Sequence, residues 1–216
     1  MQQKFIYKGK SKTLIVFFSG FAQSDNLLDG IECSHDLLYV YDYSNFSYDF
    51  SCFENYSKIE CIGWSLGVFV GACLLSTCNK VNFHAAINGS VKAIDESEGI
   101  SPAMYMATAD NLGGKSFDKF LMRICGGLKA YESYKQYRCT RTDEQLRAEL
   151  LCIKKLYEST DIQSLLKIHF DKAYIGLKDR IFAPDNLLAH FKDRSLIIQS
   201  DSAHYDRELF ELSLKL

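Results

Sequence analysis

The chain has 216 residues, 47% of them hydrophobic and 24% charged, with a formal net charge of −2 and a pI near 6.2. That length supports one α/β core with an insertion rather than two domains, and the near-neutral balance gives no global reason to expect nucleic acid or a membrane as partner. No apolar run is long enough to span a bilayer, and the opening M-Q-Q-K-F-I-Y-K-G-K lacks the apolar core of a signal peptide, so a soluble, cytoplasmic and monomeric protein is expected.

In chain order, Phe5–Tyr7 and Thr13–Phe18 read as the first two strands, and T-L-I-V-F-F suits a central strand covered on both faces. Ser19-Gly20-Phe21-Ala22-Gln23 then forms a loop of mostly small residues. Leu37–Tyr43 is the next strand, followed by a long polar and aromatic loop to Tyr56. The short, half-apolar run that begins at Lys58 predicts a strand, Gly63-Trp64-Ser65-Leu66-Gly67 a sharp turn, and the small-residue segment to about Thr77 a helix. Val81–Ile87 returns as a strand and stops at Asn88-Gly89-Ser90.

From Ser116 the period turns helical. Phe117, Phe120, Leu121 and Ile124 fall at i, i+3, i+4 and i+7, and Leu146, Leu150, Ile153 and Tyr157 share one face of a second helix, so residues 103–165 read as a helical insertion. Phe170–Gly176 and Ser195–Gln199 complete the strands, and a last helix runs to about Leu214. Strands alternating with helices imply a mostly parallel sheet of the α/β class, whose site lies beyond the carboxyl ends of the strands.

Eight cysteines raise the question of disulfides or metal, but none forms a C-x2-C pair, and several sit in apolar runs as small hydrophobes. Reduced structural thiols are expected, with no metal and no cofactor. A cysteine nucleophile is disfavoured because none lies in a glycine-flanked turn.

The residues that carry chemistry are Ser65, Asp179 and His204. A serine between glycines at a strand-to-helix turn is the setting of a nucleophile elbow, where the hydroxyl must stand clear of the sheet and bulk on either side would strike neighbouring backbone. Ser65 needs a base to take its proton, His204 can supply it, and Asp179 can hold the imidazole in the required tautomer. Asp201, Asp206 and Asp185 compete with Asp179. His84 and His169 are expected to be packed, and His35 and His190 exposed. Backbone N–H groups of Phe21 and Leu66 are placed to receive an oxyanion. Trp64, beside the serine, reads either as core packing or as a wall of an acyl pocket; Phe117, Phe120 and Ile124 offer the apolar face of the insertion to the same pocket.

Charge is uneven along the chain. Residues 115–155 hold ten basic and five acidic side chains, a balance of +5, which leaves −7 for the remainder. Such a basic stretch either steers an acidic partner to the site or is an ordinary solvated helical face.

F-F-S-G-F (Phe17–Phe21), Y-D-Y-S (Tyr41–Ser44), G-W-S-L-G (Gly63–Gly67) and A-I-N-G-S (Ala86–Ser90), in this order, resemble the BioG-type pimeloyl-[acyl-carrier protein] methyl ester esterases of bacterial biotin synthesis. The resemblance covers most of the chain and implies an α/β-hydrolase fold with a helical lid. It also implies cleavage of the methyl ester of pimeloyl-acyl carrier protein, Ser65, Asp179 and His204 as catalytic triad, and Phe21 and Leu66 at the oxyanion positions. It gives the basic stretch a partner, since acyl carrier proteins are acidic, and nominates Lys119, Arg123 and Arg147 as contacts to that carrier. The usual His-Gly before the oxyanion residue is Ser19-Gly20 here. Two other readings stand beside this one: a general short-acyl esterase or thioesterase, and a non-catalytic binding module in which Ser65 is only a turn residue.

Overall fold

A computed structural model describes residues 1–49 and 51–216. The framework is a seven-stranded sheet of β1 (Gln2–Tyr7), β2 (Thr13–Phe18), β3 (Asp36–Tyr41), β4 (Lys58–Trp64), β5 (Val81–Ile87), β6 (Phe170–Gly176) and β7 (Leu196–Ser200), in the spatial order β1-β3-β2-β4-β5-β6-β7. Only β1 runs antiparallel to its neighbour; β2 to β7 form the expected parallel array. β2 and β4 are buried along nearly their whole length, which is why β2 is a continuous apolar run without alternation, while in β4 the buried Glu60 is paired with Lys58.

Helix α1 (Leu66–Leu75) follows β4 and is hydrophobic all round. One side packs on the sheet and the other lies under the helical stretch that follows β5, where Phe69 meets Tyr157 edge to face at 5.1 Å. That stretch consists of α2 (Pro102–Asp110), α3 (Gly114–Ile124), α4 (Leu128–Tyr134), α5 (Asp143–Ser159) and the short α6 (Ile162–Leu165). Local chemistry sets several of the starts: Ser101 caps α2 ahead of Pro102, and Thr142 and Gln145 close a capping box on α5. After β6 come α7 (Pro184–Phe191) and, beyond β7, α8 (Arg207–Ser213). Among the described residues no helix is long and apolar enough to cross a membrane.

The structure differs from the sequence reading in identifiable places. β3 ends at Tyr41 rather than Tyr43 because Asp42 turns the backbone left-handed, at φ 57°. The stretch to Tyr56 contains one 3-10 turn, Ser51–Asn55; Phe50, within that stretch, lies outside the described residues. α7 was not expected, nor was α4 as a separate helix. His190, expected to be exposed, is buried on α7 with Nδ1 at 2.8 Å from Glu98 Oε2, whereas His169, expected to be packed, is exposed just before β6.

Asp36 holds the β1–β2 turn to the sheet. Its carboxylate accepts the N–H groups of Gly9 (2.8 Å), Lys10 (2.6 Å) and Ser11 (3.1 Å) and the hydroxyl of Tyr56 (2.7 Å). Burial alone would raise its pKa, but the Tyr56 hydroxyl and the three amides outweigh it and hold the carboxyl below the usual carboxylate range. Asp36→Ala should therefore cost about 2–3 kcal/mol in urea unfolding, because it strands a buried tyrosine hydroxyl and a turn's worth of amides. Because the folded pKa is the depressed one, this contribution is complete above the ordinary carboxylate range and lost as pH falls through the folded value. A loss under 0.5 kcal/mol, or one independent of pH, would contradict the role.

Candidate active site

Ser65 sits at the turn between β4 and α1 with φ 59° and ψ −130°, a left-handed backbone that non-glycine residues rarely adopt. Its amide bonds to Ile87 O at 2.9 Å, tying the turn to the end of β5. Crowding around it accounts for the flanking glycines. A Cβ at Gly63 would lie 2.5 Å from Val68 Cα, and one at Gly67 would lie 2.3 Å from the carbonyl oxygens of Phe18 and Ser19. α1 points its first N–H groups, which have no intrahelical acceptor, and the positive end of its dipole back at the serine.

The loop after β7 brings His204 to Ser65, and the loop after β6 brings Asp179 to His204. His204 Nε2 lies 2.8 Å from Ser65 Oγ, and His204 Nδ1 lies 2.7 Å from Asp179 Oδ2. All three residues are buried, at 4%, 3% and 6% exposure for Ser65, His204 and Asp179. Asp179 Oδ1 is occupied by the amides of Ile181 (2.7 Å) and Phe182 (3.1 Å), so Oδ2 is left to accept Nδ1–H. That places the free imidazole lone pair at Nε2, facing the serine hydroxyl, as a general base requires. The competing acids are engaged elsewhere: Asp201 pairs with Lys178, and Asp206 caps α8.

Two residues fix the histidine loop. Trp64 Nε1 donates to His204 O at 3.0 Å, and Asn88 Nδ2 donates to the same oxygen at 2.9 Å. Asn88 Oδ1 also accepts Gly176 N–H at 2.7 Å, so one buried side chain joins the ends of β5 and β6 to the histidine loop. The sequence reading gave Asn88 no role, although it lies at a strand end and within the A-I-N-G-S motif.

Next to Ser65 and His204 lies a largely apolar cavity, lined among others by Phe21, Trp64, Met104, Phe120, Ile124 and Ile181. Trp64 thus serves both readings offered for it: it lines the cavity, and it is packed in the core, 1% exposed and edge to face with Phe210 at 5.1 Å. Phe117 does not line the cavity. It is buried on α3, stacked on Phe120 at 6.3 Å with the Arg138 guanidinium over its ring, and so supports the cavity wall from behind Phe120. Phe120 itself meets Phe21 edge to face at 5.6 Å.

The profile of the family described as pimeloyl-ACP methyl esterase BioG matches residues 1–212. The chain belongs to the BioG family. It is 30% identical over 206 residues to a malonyl-[acyl-carrier protein] O-methyltransferase of Bacteroides fragilis, covering 94% of this chain but only 41% of that protein. It is 29% identical to an uncharacterised Haemophilus influenzae protein, covering 95% of this chain and 94% of that one. The crystal structure of BioG from Haemophilus influenzae superposes with a TM-score of 0.87 at 28% identity over 98% of this chain and 97% of the other. An esterase from Exiguobacterium antarcticum shares the fold at 13% identity, with a TM-score of 0.67 over 98% and 92% of the two chains. The fold is that of the α/β-hydrolases, as the sequence resemblance implied.

Within this BioG fold the charged residues of the helical stretch separate into two groups. Lys119 and Arg123 are exposed on α3, line a recess that adjoins the cavity, and have no ion pair among the described residues; Arg123 also reaches the cavity itself. Arg147, expected beside them, instead pairs with Asp110 at 3.0 Å and donates to Ala109 O at 3.2 Å, tying α5 to α2. Arg138 pairs with Asp118, and Arg141 with Asp42 and Glu149. Much of the basic excess is thus internal bracing.

All eight cysteines carry free thiols. Burial pushes the Cys73 and Cys125 thiols up to about 12, far from a thiolate nucleophile at neutral pH. Towards the amino-terminal ends of the strands, Glu60, His84 and Asp171 bring ligating atoms within 4.8 Å of one another. The Asn82 amide donates to both carboxylates at 2.8 Å and Lys58 pairs with Glu60, so this group is held together by hydrogen bonds and a fixed cation.

Proposed function

We propose that this chain is a serine carboxylesterase that hydrolyses the methyl ester of pimeloyl-acyl carrier protein. The observation that carries the reading is the hydrogen-bonded series Ser65–His204–Asp179 beside an apolar cavity, in a member of the BioG family. The Bacteroides fragilis relative, named for methyl transfer to a carrier-linked acyl group, supports a methyl ester on a carrier protein as the substrate class.

In this mechanism His204 takes the Ser65 proton as Oγ attacks the ester carbonyl, and Asp179 stabilises the imidazolium that results. The N–H groups of Phe21 and Leu66 receive the oxyanion. His204 returns the proton to the departing methoxide, methanol leaves, and a water activated by the same histidine releases the carboxylic acid. The apolar cavity takes the acyl chain, with Trp64, Phe120 and Ile124 as its walls, and α2 to α6 act as the lid over it.

Lys119 and Arg123 are the cations we assign to docking of the acidic carrier, because they are exposed, unpaired and beside the recess; Arg147 is assigned to bracing. The carrier reaction belongs in the cytoplasm. Reversing both charges (Lys119→Glu with Arg123→Glu) should lower kcat/KM on the carrier-linked ester by about 10- to 100-fold at low salt, and the deficit should shrink as salt is raised. With Lys119→Glu alone, hydrolysis of p-nitrophenyl acetate should change by less than about threefold, since Lys119, unlike Arg123, lines the outer recess and not the cavity. Equal loss on both substrates would remove the docking role and favour a general short-acyl esterase.

A further inference from the structure

Glu149 is a fully buried carboxylate on the apolar face of α5, at 0% exposure, and the esterase mechanism does not use it. Two of its three partners lie far away in the chain. Oε2 accepts the N–H of Ala22 at 3.2 Å and Arg141 Nη2 at 2.9 Å, and Oε1 accepts the N–H of Tyr43 at 3.0 Å. Arg141 also donates from Nη1 to Asp42 Oδ1 at 2.7 Å. Burial pushes the Glu149 carboxyl above its ordinary value, while Arg141 and the two amides oppose this.

Ala22 belongs to the loop after β2 that carries the Phe21 amide, and it has a left-handed backbone at φ 61°. The peptide group joining Phe21 to Ala22 is held at both ends. Its N–H points to Glu149, and its oxygen, Phe21 O, accepts Gln23 Nε2 at 2.7 Å. Gln23 is in turn oriented by the Tyr134 hydroxyl at 2.8 Å, and the loop's start is held where Tyr43 OH donates to Ser19 O at 2.7 Å. Clamping that peptide plane fixes ψ of Phe21 and leaves its own N–H little freedom of direction. This loop lacks the His-Gly usual before the oxyanion residue, and its bracing comes instead from α4, α5 and the segment between them.

We propose that Glu149 and Arg141 are positioning residues: together they set the oxyanion loop from the helical insertion, so that the insertion completes the catalytic site as well as covering it. The inference rests on the esterase reading of Ser65. A glutamine at 149 that keeps its carbonyl on the Ala22 N–H and Arg141 turns its NH2 at the Tyr43 N–H, donor against donor, and it no longer carries the charge that pairs with Arg141, so the clamp is weakened. Arg141→Lys keeps the charge but loses the fork that reaches Glu149 and Asp42 together.

The test compares wild type, Glu149→Gln and Arg141→Lys on p-nitrophenyl acetate, with active serines counted by stoichiometric p-nitrophenol release from diethyl p-nitrophenyl phosphate. We expect kcat per titrated serine to fall by about 10-fold for Glu149→Gln and for Arg141→Lys, with KM within about twofold, since loss of one oxyanion donor costs up to 10²–10³ in kcat and each variant loosens the donor without removing it. A purely structural role lowers the number of titratable serines and leaves kcat per serine unchanged, which would overturn the inference. Should Glu149→Gln not fold, Arg141→Lys alone decides by the same criterion. An inactive wild type would overturn the esterase reading, and this inference with it, and is distinguished by needing no variant.

Discussion

Replacing Ser65 by alanine should lower kcat on any ester by about 10⁴-fold or more, with the fold intact. The hydroxyl's partner is His204 Nε2, and no other nucleophile is described beside that nitrogen. Stability should move the other way at this position. Ser65 holds φ 59°, and Ser65→Gly, which relieves that strain, should raise unfolding free energy by about 1 kcal/mol while abolishing turnover. Gain of stability with loss of activity is the pattern of a residue strained for function. Retention of more than a tenth of wild-type kcat in Ser65→Ala would remove Ser65 as nucleophile.

Asp179→Asn is the second large effect, and its size follows from the hydrogen bonds. Asp179 Oδ1 accepts the amides of Ile181 and Phe182, so an asparagine keeps its carbonyl there and turns its NH2 towards His204 Nδ1. Nδ1 must then accept, which moves the imidazole proton to Nε2 and leaves no lone pair for the serine proton. We expect kcat to fall by about 10⁴-fold with little change in the position of the ring. A loss below tenfold would mean that Asp179 does not set the tautomer.

The positions of these residues show how much the sequence could disclose. The serine turn was legible because its requirements are local: Gly63 and Gly67 are excluded from bearing side chains by backbone within five residues of them or by the neighbouring strand end. The parallel sheet was legible from strands alternating with helices, and with it came the common edge that gathers Ser65, Asp179 and His204, whereas the order of the strands was not. Asn88 and Glu149 were not legible, because the partners that give them meaning lie 116 and 127 residues away. Helical periodicity placed Phe117 and Phe120 on one face of α3, but it says nothing of which contacts the cavity and which backs the other. Periodicity likewise could not say that Arg147 meets Asp110. At eight residues α7 is about one turn short of the length at which apolar spacing becomes a signal, and its order comes from Leu187 and Phe191 packing beneath the sheet's edge.

The most direct test of the central claim is to incubate the full chain with pimeloyl-acyl carrier protein methyl ester and follow the intact carrier by mass. The expected result is conversion of the methyl ester to the free acid with methanol released and the thioester to the carrier preserved, and no conversion with Ser65→Ala. Loss of the whole acyl group from the carrier would contradict it in favour of a thioesterase, and an unchanged carrier under conditions where p-nitrophenyl acetate is cleaved would contradict the carrier-linked substrate.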